Sequence, residues 1–139
     1  MSYLLDTNVI SETVRRRPEA KVIDWLRSVP DDSLHTSVLC LGEIVGGIER
    51  LPAGARRERL LRWLDHDLVA WLGDRILAID DGVAVTWGRL LARSAGQPMP
   101  AIDGLLAATA LHRDLSLVTR NEADFVRTGV RIVNPWAGD

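Results

Sequence analysis

The segment Tyr3-Leu4-Leu5-Asp6-Thr7-Asn8 predicts a short strand that runs directly into a helix. A short apolar run bounded by polar residues is typical of a buried strand. Asp and Asn are residue types that cap helix N-termini, so the polar half of the segment favours a helix start. In α/β proteins, ligand sites lie where strands end in this way. Asp6 is therefore a candidate site residue, although a capping role alone explains it about equally well.

The alternation of short strands and longer helices continues along the chain. Predicted strands cover Tyr3–Leu5, Leu34–Thr36, Ile76–Ile79, Leu115–Val118 and Val130–Val133. Predicted helices start at Asp6-Thr7-Asn8 and then cover Glu19–Val29, Val38–Arg50, Ala55–Leu72, Gly82–Ser94, Ile102–His112 and the short turn Asn121–Phe125. This order predicts an α/β fold, with a small, mainly parallel sheet between two layers of helices. The carboxyl ends of such strands share one edge of the sheet.

The composition predicts one globular domain that covers residues 1–139. That length suits a single domain, and the fractions of hydrophobic (47%) and charged (26%) residues are ordinary for a globular protein. No apolar run approaches the roughly 20 residues that cross a bilayer. The single cysteine, Cys40, excludes an internal disulfide, and the N-terminus lacks the pattern of a signal peptide. We therefore expect a cytoplasmic protein with no membrane partner.

The net charge of −2 excludes a globally basic nucleic-acid binder but not a local site for nucleic acid. Affinity for phosphates depends on where the cations lie, not on their sum. Sixteen of the seventeen cations are arginine, a side chain that suits bidentate phosphate contacts. A bias in genome composition explains the arginine content equally well.

The remaining aromatic and sulfur side chains are interpreted mainly as core. Four tryptophans fall on apolar helix faces: Trp25, Trp63, Trp71 and Trp87. Cys40 is expected to be a core thiol. Trp136, close to the C-terminus, is expected to be freer to contact a partner.

Asp103 is the acidic residue whose neighbours argue most strongly for a site. Leu106, Ala107 and Ala110 lie on its helical stripe, so its carboxylate is expected to face the protein. A buried, unpaired charge is costly enough that the group either neutralises or attracts a cation. Because Pro100 precedes it closely, capping of the helix remains the alternative for Asp103.

Glu43 and Asp124 are supported less well by their own surroundings. Glu43 shares its helix face with Gly46 and Gly47, which cost a helix interior roughly 1 kcal/mol each and leave room for another group. A partly exposed glutamate on a helix edge is the alternative. Asp124 lies in a short turn that Asn121 is expected to cap, where its charge favourably faces the helix dipole.

The four acidic residues, considered as a set, predict a cation site. They are Asp6, Glu43, Asp103 and Asp124. Three of the four follow predicted strands or open the next helix, and a parallel sheet brings such positions together. Carboxylates in one cleft repel each other unless a cation joins them. The chain has no histidine–cysteine cluster, so oxygen ligands favour Mg²⁺ or Mn²⁺ over zinc. A metal held by carboxylates activates water and stabilises charge on an attacked phosphate.

Four segments, in order, resemble the motifs of PIN-domain ribonucleases. They are Asp6–Glu12, Thr36–Glu43, Ile102–Ala110 and Thr119–Phe125. The similarity is greatest to VapC-type toxins of bacterial toxin–antitoxin pairs, including the FitB-like branch. The resemblance implies acidic site residues at Asp6, Glu43, Asp103 and Asp124, with Asn8, Thr119 and Asn121 as supporting polar residues. The stretch 52–74 matches in helical character alone.

The resemblance also implies a function and partners. It implies a Mg²⁺- or Mn²⁺-dependent endoribonuclease that acts as a toxin, forms a homodimer and is blocked by a cognate antitoxin. It implies that operator DNA is contacted only through that antitoxin. Seven arginines are then candidates for guiding RNA, although solvated helix faces explain most of them: Arg15, Arg16, Arg17, Arg56, Arg57, Arg59 and Arg120.

Two alternatives to a catalytic toxin stay open. One is a non-catalytic or weakly catalytic partner in a DNA-binding toxin–antitoxin complex, a role that can coexist with catalysis. The other is an aspartyl phosphoryl-transfer protein, which needs further acidic residues beside the first and a lysine late in the chain. Here Asp6 is followed by Thr-Asn, and no lysine follows Lys21.

Overall fold

Five parallel strands form one sheet in the computed structural model, which describes residues 1–137. In chain order the strands are β1 (Tyr3–Leu5), β2 (Leu34–Ser37), β3 (Ile76–Leu77), β4 (Ser116–Val118) and β5 (Ile132–Val133). Their order across the sheet is β3-β2-β1-β4-β5, and all four pairings between them are parallel. The predicted α/β class with a small parallel sheet is therefore confirmed, and β1 lies at its centre.

Helices connect the strands and cover both faces of the sheet. The α-helices are α1 (Thr7–Glu12), α2 (Ala20–Ser28), α3 (Val38–Glu49), α4 (Ala55–Arg62), α5 (Val69–Leu72), α6 (Asp81–Arg93), α7 (Ala101–Arg113) and α8 (Glu122–Phe125). A π-helical segment covers Trp63–Leu68, and 3-10 turns cover Asp31–Ser33, Gly73–Arg75 and Val126–Thr128. Within residues 1–137, no helix combines the length and apolar character needed to cross a membrane.

The predicted helix Ala55–Leu72 is not one continuous α-helix. The π-helical segment Trp63–Leu68 interrupts it, between α4 and α5. A π-turn widens the helix without breaking the chain's helical course, so its side chains still meet the core. Leu68 and Leu72 are buried there. The apolar spacing therefore predicted a helical segment that packs on the core, and it could not reveal the extra residue in the turn.

The two edge strands are shorter than predicted. β3 ends at Leu77 instead of Ile79, and β5 begins at Ile132 instead of Val130. Both Ile79 and Val130 still pack against the core, outside the strand pairing. An apolar run thus marks burial, and only pairing with a neighbouring strand defines where a strand ends.

The core consists of two clusters, one on each face of the sheet. Successive residues of a strand point to opposite faces, so Leu4 packs with α6, α7 and α8 while Leu5 packs with α1, α2 and α3. The four tryptophans predicted as core pack against these clusters and are partly buried. This confirms the layered arrangement and leaves the carboxyl edge of the sheet free for a site.

Gly104 allows α6 and α7 to pack closely beside that edge. A Cβ atom at residue 104 would lie 3.0 Å from Trp87 Nε1, 3.1 Å from Trp87 Cδ1 and 3.3 Å from Met99 Sδ. These separations are too short for an unstrained contact, so a side chain here requires the indole to move. Because Asp103 precedes Gly104, the same close packing holds the start of α7 in place.

Gly104→Ala is expected to lower the free energy of unfolding by about 1 kcal/mol in urea denaturation, because overpacking outweighs the gain in helix propensity. Gly88→Ala is the matched control: Gly88 is exposed on α6, and its new methyl group would meet nothing within 4 Å. The control is expected to raise stability by up to about 1 kcal/mol. Equal stabilisation by both variants would show that the contact at Gly104 is not tight.

Candidate acidic metal centre

β1 carries Asp6 to the carboxyl edge of the sheet, where its two carboxylate oxygens have different partners. Oδ1 accepts a hydrogen bond from the Thr7 backbone N (2.7 Å), which caps α1. Oδ2 accepts from Thr119 Oγ1 (2.8 Å) and from Asn8 Nδ2 (3.4 Å). Asp6 is only 8% exposed. The capping role and the site role are therefore both realised by one side chain.

Thr119 connects the two central strands at this edge. It follows β4, is fully buried, and accepts hydrogen bonds from Asn8 Nδ2 (3.4 Å) and the Asn121 backbone N (3.0 Å) while donating to Asp6. Asn8 also accepts from the Arg120 backbone N at 3.3 Å. Of the predicted supporting residues, Asn8 and Thr119 thus contact Asp6 directly. Asn121 joins only through its backbone, and its side chain makes no capping bond.

α3 brings Glu43 to the same edge from the other side of β1. Ser37 caps this helix by accepting a hydrogen bond from the Leu39 backbone N at 3.0 Å. Glu43 is exposed, but its Oε1 accepts a hydrogen bond from Thr7 Oγ1 at 2.7 Å. The Thr7 hydroxyl therefore fixes one oxygen of Glu43 beside Asp6. No role was predicted for Thr7, and its position directly after Asp6 is the signal for one.

Cys40 is a buried thiol, as predicted, and it also lies beside the acidic residues of the site. One ligand atom each of Asp6, Cys40 and Glu43 lies within 4.8 Å of the other two. The thiol is buried, and this burial raises the pKa of Cys40 to about 11. It therefore stays protonated at neutral pH, whereas a metal binds the thiolate. Its spacing of three residues before Glu43 on one helix face was the signal for this proximity.

Asp103 and Asp124 approach the same edge from α7 and α8. Pro100 occupies the N-cap position of α7, so Asp103 lies in the first helical turn and the alternative that it caps the helix is wrong. Asp103 is half-buried and Asp124 is exposed. Neither belongs to the close group of Asp6, Cys40 and Glu43. Both nevertheless interact with that group electrostatically, through their negative charges.

The pKa values of two carboxyls report that coupling. Burial raises the pKa of Asp103, and the negative charges of Asp124, Asp6 and Glu43 raise it further. Burial also raises the pKa of Asp6; the hydrogen bonds from Thr119 and Thr7 oppose this, and the charges of Glu43 and Asp124 add to it. The four predicted carboxylates are thus close enough to repel each other.

No ion pair within residues 1–137 neutralises any of these four carboxylates. The arrangement therefore concentrates negative charge, partly desolvated, at one edge of the sheet. Such a set of oxygen donors fits a hard divalent cation such as Mg²⁺ or Mn²⁺. The sulfur of Cys40 is a softer donor than Mg²⁺ or Mn²⁺ prefers, so the carboxylate oxygens remain the favoured donor set.

A groove of about 970 Å³ leads away from Thr7 and Glu43. Apolar side chains of α3, α4 and the π-helical segment line its floor, among them Ile44, Ile48 and Trp63. The charged residues that line the groove are mostly basic, in contrast to the acidic edge. They are one glutamate, Glu43, and five arginines: Arg15, Arg16, Arg17, Arg56 and Arg59. A chain of net charge −2 thus carries a locally positive groove next to its acidic centre.

The sequence profile of the PIN domain matches residues 3–130, so the chain belongs to the PIN-domain family. It is 36% identical to the plasmid stability protein StbB of Pseudomonas syringae pv. tomato and 33% identical to the toxin FitB of Neisseria gonorrhoeae, with 96% of this chain and 97% of each relative covered. It is 31% identical to the VapC ribonuclease Y4jK of Sinorhizobium fredii, with 96% of both chains covered. These matches confirm the resemblance inferred from the four motifs.

The fold agrees with that of a solved structure. A structure of FitAB bound to an IR36 DNA fragment superposes with a TM-score of 0.91 at 31% identity, covering 99% of this chain and 97% of the other. The five-stranded arrangement described above is therefore the PIN fold.

Asp103→Asn is expected to raise the melting temperature at neutral pH in EDTA. A raised carboxyl pKa means that the folded state holds the proton more tightly than the unfolded chain. Protonated Asp103 therefore stabilises the folded state fully at pH values below its ordinary pKa of 3.8, and this contribution is lost as pH rises through the raised pKa. At neutral pH the charged Asp103 opposes folding, so its neutralisation removes a penalty, and the gain should shrink as pH falls toward 3.8.

Asp24→Asn is the matched control, because Asp24 is exposed on α2, away from the acidic edge. It should leave the melting temperature unchanged. Added Mn²⁺ should stabilise the wild type and the control more than Asp103→Asn, because binding to the folded state raises stability. A lower melting temperature of Asp103→Asn in EDTA would refute the repulsion among the carboxylates.

Proposed function

We propose that this PIN-domain protein is a metal-dependent endoribonuclease that acts as the toxin of a toxin–antitoxin pair. The observation that carries the proposal is the proximity, at the carboxyl edge of the sheet, of four carboxylates that form no ion pair within residues 1–137. A divalent cation relieves their repulsion, and a phosphodiester is the substrate class that such a cation serves.

Asp6 and Asp103 are the principal metal-holding residues in this proposal, with Asp124 and Glu43 completing the set. Asp6 is oriented by Thr119 and Asn8, so its Oδ2 presents a fixed direction to a ligand. Bound Mg²⁺ or Mn²⁺ would activate water and stabilise the charge that develops on the attacked phosphate.

Glu43 is the residue best placed to accept a proton from the attacking water. It is exposed, and the hydrogen bond from Thr7 leaves its second carboxylate oxygen available. A proton acceptor needs both reach and a fixed geometry, and these two features supply them. Asp124, also exposed, lies on the opposite flank of the site on α8.

Two observations support RNA as the proposed substrate: the positive charge of the groove and the name of one relative. The groove that adjoins Thr7 and Glu43 carries five arginines, which favour a polyanion beside a centre that would otherwise repel it. The relative from Sinorhizobium fredii is named a VapC ribonuclease. Together these support cleavage of an RNA phosphodiester.

A second proposed role is assembly with an antitoxin that binds operator DNA. It is favoured by the similarity to FitAB, whose structure contains a DNA fragment. This chain is acidic overall, so we propose that DNA is contacted through the antitoxin. The toxin is proposed to form a homodimer in that assembly. Binding of the antitoxin and catalysis by the free toxin are compatible roles.

Asp103→Asn and Asp6→Asn are each expected to reduce RNA cleavage at least about 1000-fold, because each removes a carboxylate that would hold the metal. The measurement is the cleavage of labelled total bacterial RNA by purified protein in Mg²⁺ or Mn²⁺, with circular dichroism to verify folding. EDTA should abolish cleavage by the wild type. Asp24→Asn, on the exposed face of α2, should cleave like the wild type.

The outcomes separate the two proposed roles. Full metal-dependent cleavage by Asp103→Asn would refute the proposed site. A wild type that cuts no RNA, yet purifies with an antitoxin and binds operator DNA, would favour the non-catalytic role. Sequencing the 5′ ends of the fragments identifies the RNA that is cut.

A further inference from the structure

We propose that Arg120, held against the indole of Trp136, binds an RNA phosphate that flanks the one cleaved at the acidic centre. Trp136 is then a positioning residue, because it acts on the substrate only through Arg120. This inference rests on the proposed ribonuclease function and adds a substrate-binding residue to it.

The backbone of Arg120 is connected to the acidic centre through its neighbour Thr119 and through Asn8. Arg120 follows Thr119, whose hydroxyl donates to Asp6, and its own backbone N donates to Asn8 Oδ1 at 3.3 Å. Asn8 in turn donates to Asp6 Oδ2 at 3.4 Å. Two hydrogen bonds therefore connect Arg120 to the carboxylate at the centre of the site. Its side chain starts from the rim of that site and is exposed.

The guanidinium of Arg120 is held by an aromatic ring instead of a carboxylate. Its central carbon lies 5.4 Å from the centroid of the Trp136 ring, within the range of a cation–π interaction. Within residues 1–137 it forms no ion pair, although carboxylates are abundant nearby. Stacking leaves the edge of the guanidinium, with its N–H donors, open to an anion.

The tertiary structure fixes Trp136 in this position. It follows β5, whose carboxyl end lies at the same edge of the sheet as Asp6. The Trp136 backbone N donates to Asn134 Oδ1 (3.0 Å), and Asn134 Nδ2 donates to Glu122 Oε2 (2.9 Å). Trp136 is half-buried and, like Val133, packs against the core cluster that contains Val118. Trp136 is therefore held in place by the core and contacts Arg120, whereas the expectation that it contacts a partner stays a prediction.

A phosphate is the anion that this arrangement fits best. RNA must bring its backbone to an edge that carries four carboxylates, and the phosphates on either side of the cleaved bond meet repulsion there. A planar guanidinium matches phosphate oxygens in bidentate geometry, and prior stacking lowers the entropy lost on binding. The five-arginine groove adjoins Thr7 and Glu43, whereas Arg120 lies on the β4–β5 side. The two would hold RNA on opposite sides of the centre.

The test compares Arg120→Ala with Arg27→Ala, a control that removes the same charge. Arg27 is exposed in the last turn of α2, near the amino ends of the strands, and forms no ion pair within the described chain. On an RNA that the wild type cuts, Arg120→Ala should raise KM roughly tenfold while kcat changes less than about twofold. Arg27→Ala should change neither constant.

Binding reports the same contact without cleavage. A 5′-labelled, single-stranded oligoribonucleotide of mixed sequence is titrated with Asp103→Asn protein in Mn²⁺ over a salt series. Adding Arg120→Ala should weaken the dependence of log affinity on log salt by about 0.7, the contribution of one phosphate contact on a single strand. Arg27→Ala should leave the slope unchanged.

Trp136 is tested by substitutions that keep its apolar bulk. Trp136→Phe retains a ring and should keep most of the affinity, whereas Trp136→Leu should raise KM by several-fold. In the Arg120→Ala background, Trp136→Leu should have no further effect on KM. A purely structural role of Trp136 would instead give additive losses.

The results distinguish failure of this inference from failure of the proposed function. Wild-type cleavage with equal KM and salt slope for Arg120→Ala and Arg27→Ala would overturn the phosphate contact alone. The same result with weaker antitoxin binding by Arg120→Ala would also overturn it and assign Arg120 to a protein interface. Absence of cleavage together with an Arg120-dependent salt slope would support the contact and refute the ribonuclease.

Discussion

The hydrogen bond from Thr119 to Asp6 joins the central strand of the sheet to its neighbour at the point where the acidic centre begins. It lets a nearly buried carboxylate remain in place although burial and its acidic neighbours favour the protonated form. The other Asp6 oxygen caps α1, so the same side chain also starts the first helix. Because Asn8, Asn121 and Arg120 are connected through this network, the loop after β4 takes its position from one carboxylate.

The acidic centre lowers the stability of the folded protein, because it gathers negative charges in a partly buried place. Burial raises the pKa of both Asp6 and Asp103, and repulsion among the four carboxylates, which form no ion pair within residues 1–137, raises it further. The two-sided core, with β1 fully packed at Leu4 and Leu5, offsets that cost. Carboxyl groups with perturbed pKa values are typical of functional sites, where charge is concentrated at a cost in stability.

Positive charge is distributed around this centre and not within it. The groove beside Glu43 carries five arginines, and Arg120 stacks on Trp136 at the other flank. Since neither set neutralises the carboxylates, both remain available to a polyanion. The net charge of −2 concealed this separation, because the field near a site depends on where charges lie.

Short-range patterns in the sequence were sufficient for the fold class and, through the four motif segments, for the family. The assignment of the four carboxylates as site residues stays a prediction. The patterns were sufficient because strands, caps and apolar stripes depend on neighbours within a few residues. The same patterns overestimated β3 and β5 and missed the π-helical segment Trp63–Leu68, since pairing and helix phase depend on contacts with other elements.

Tertiary structure alone decided which side chains meet at the site. Cys40 and Thr7 became neighbours of Glu43, and Trp136 became the support of Arg120, through packing across the sheet. The pKa of Asp103 is raised first by burial and then by the charges of Asp124, Asp6 and Glu43, which lie on other elements. Distances and desolvation arise only when the strands align, so residue types supplied the chemistry of the centre and the parallel sheet supplied its geometry.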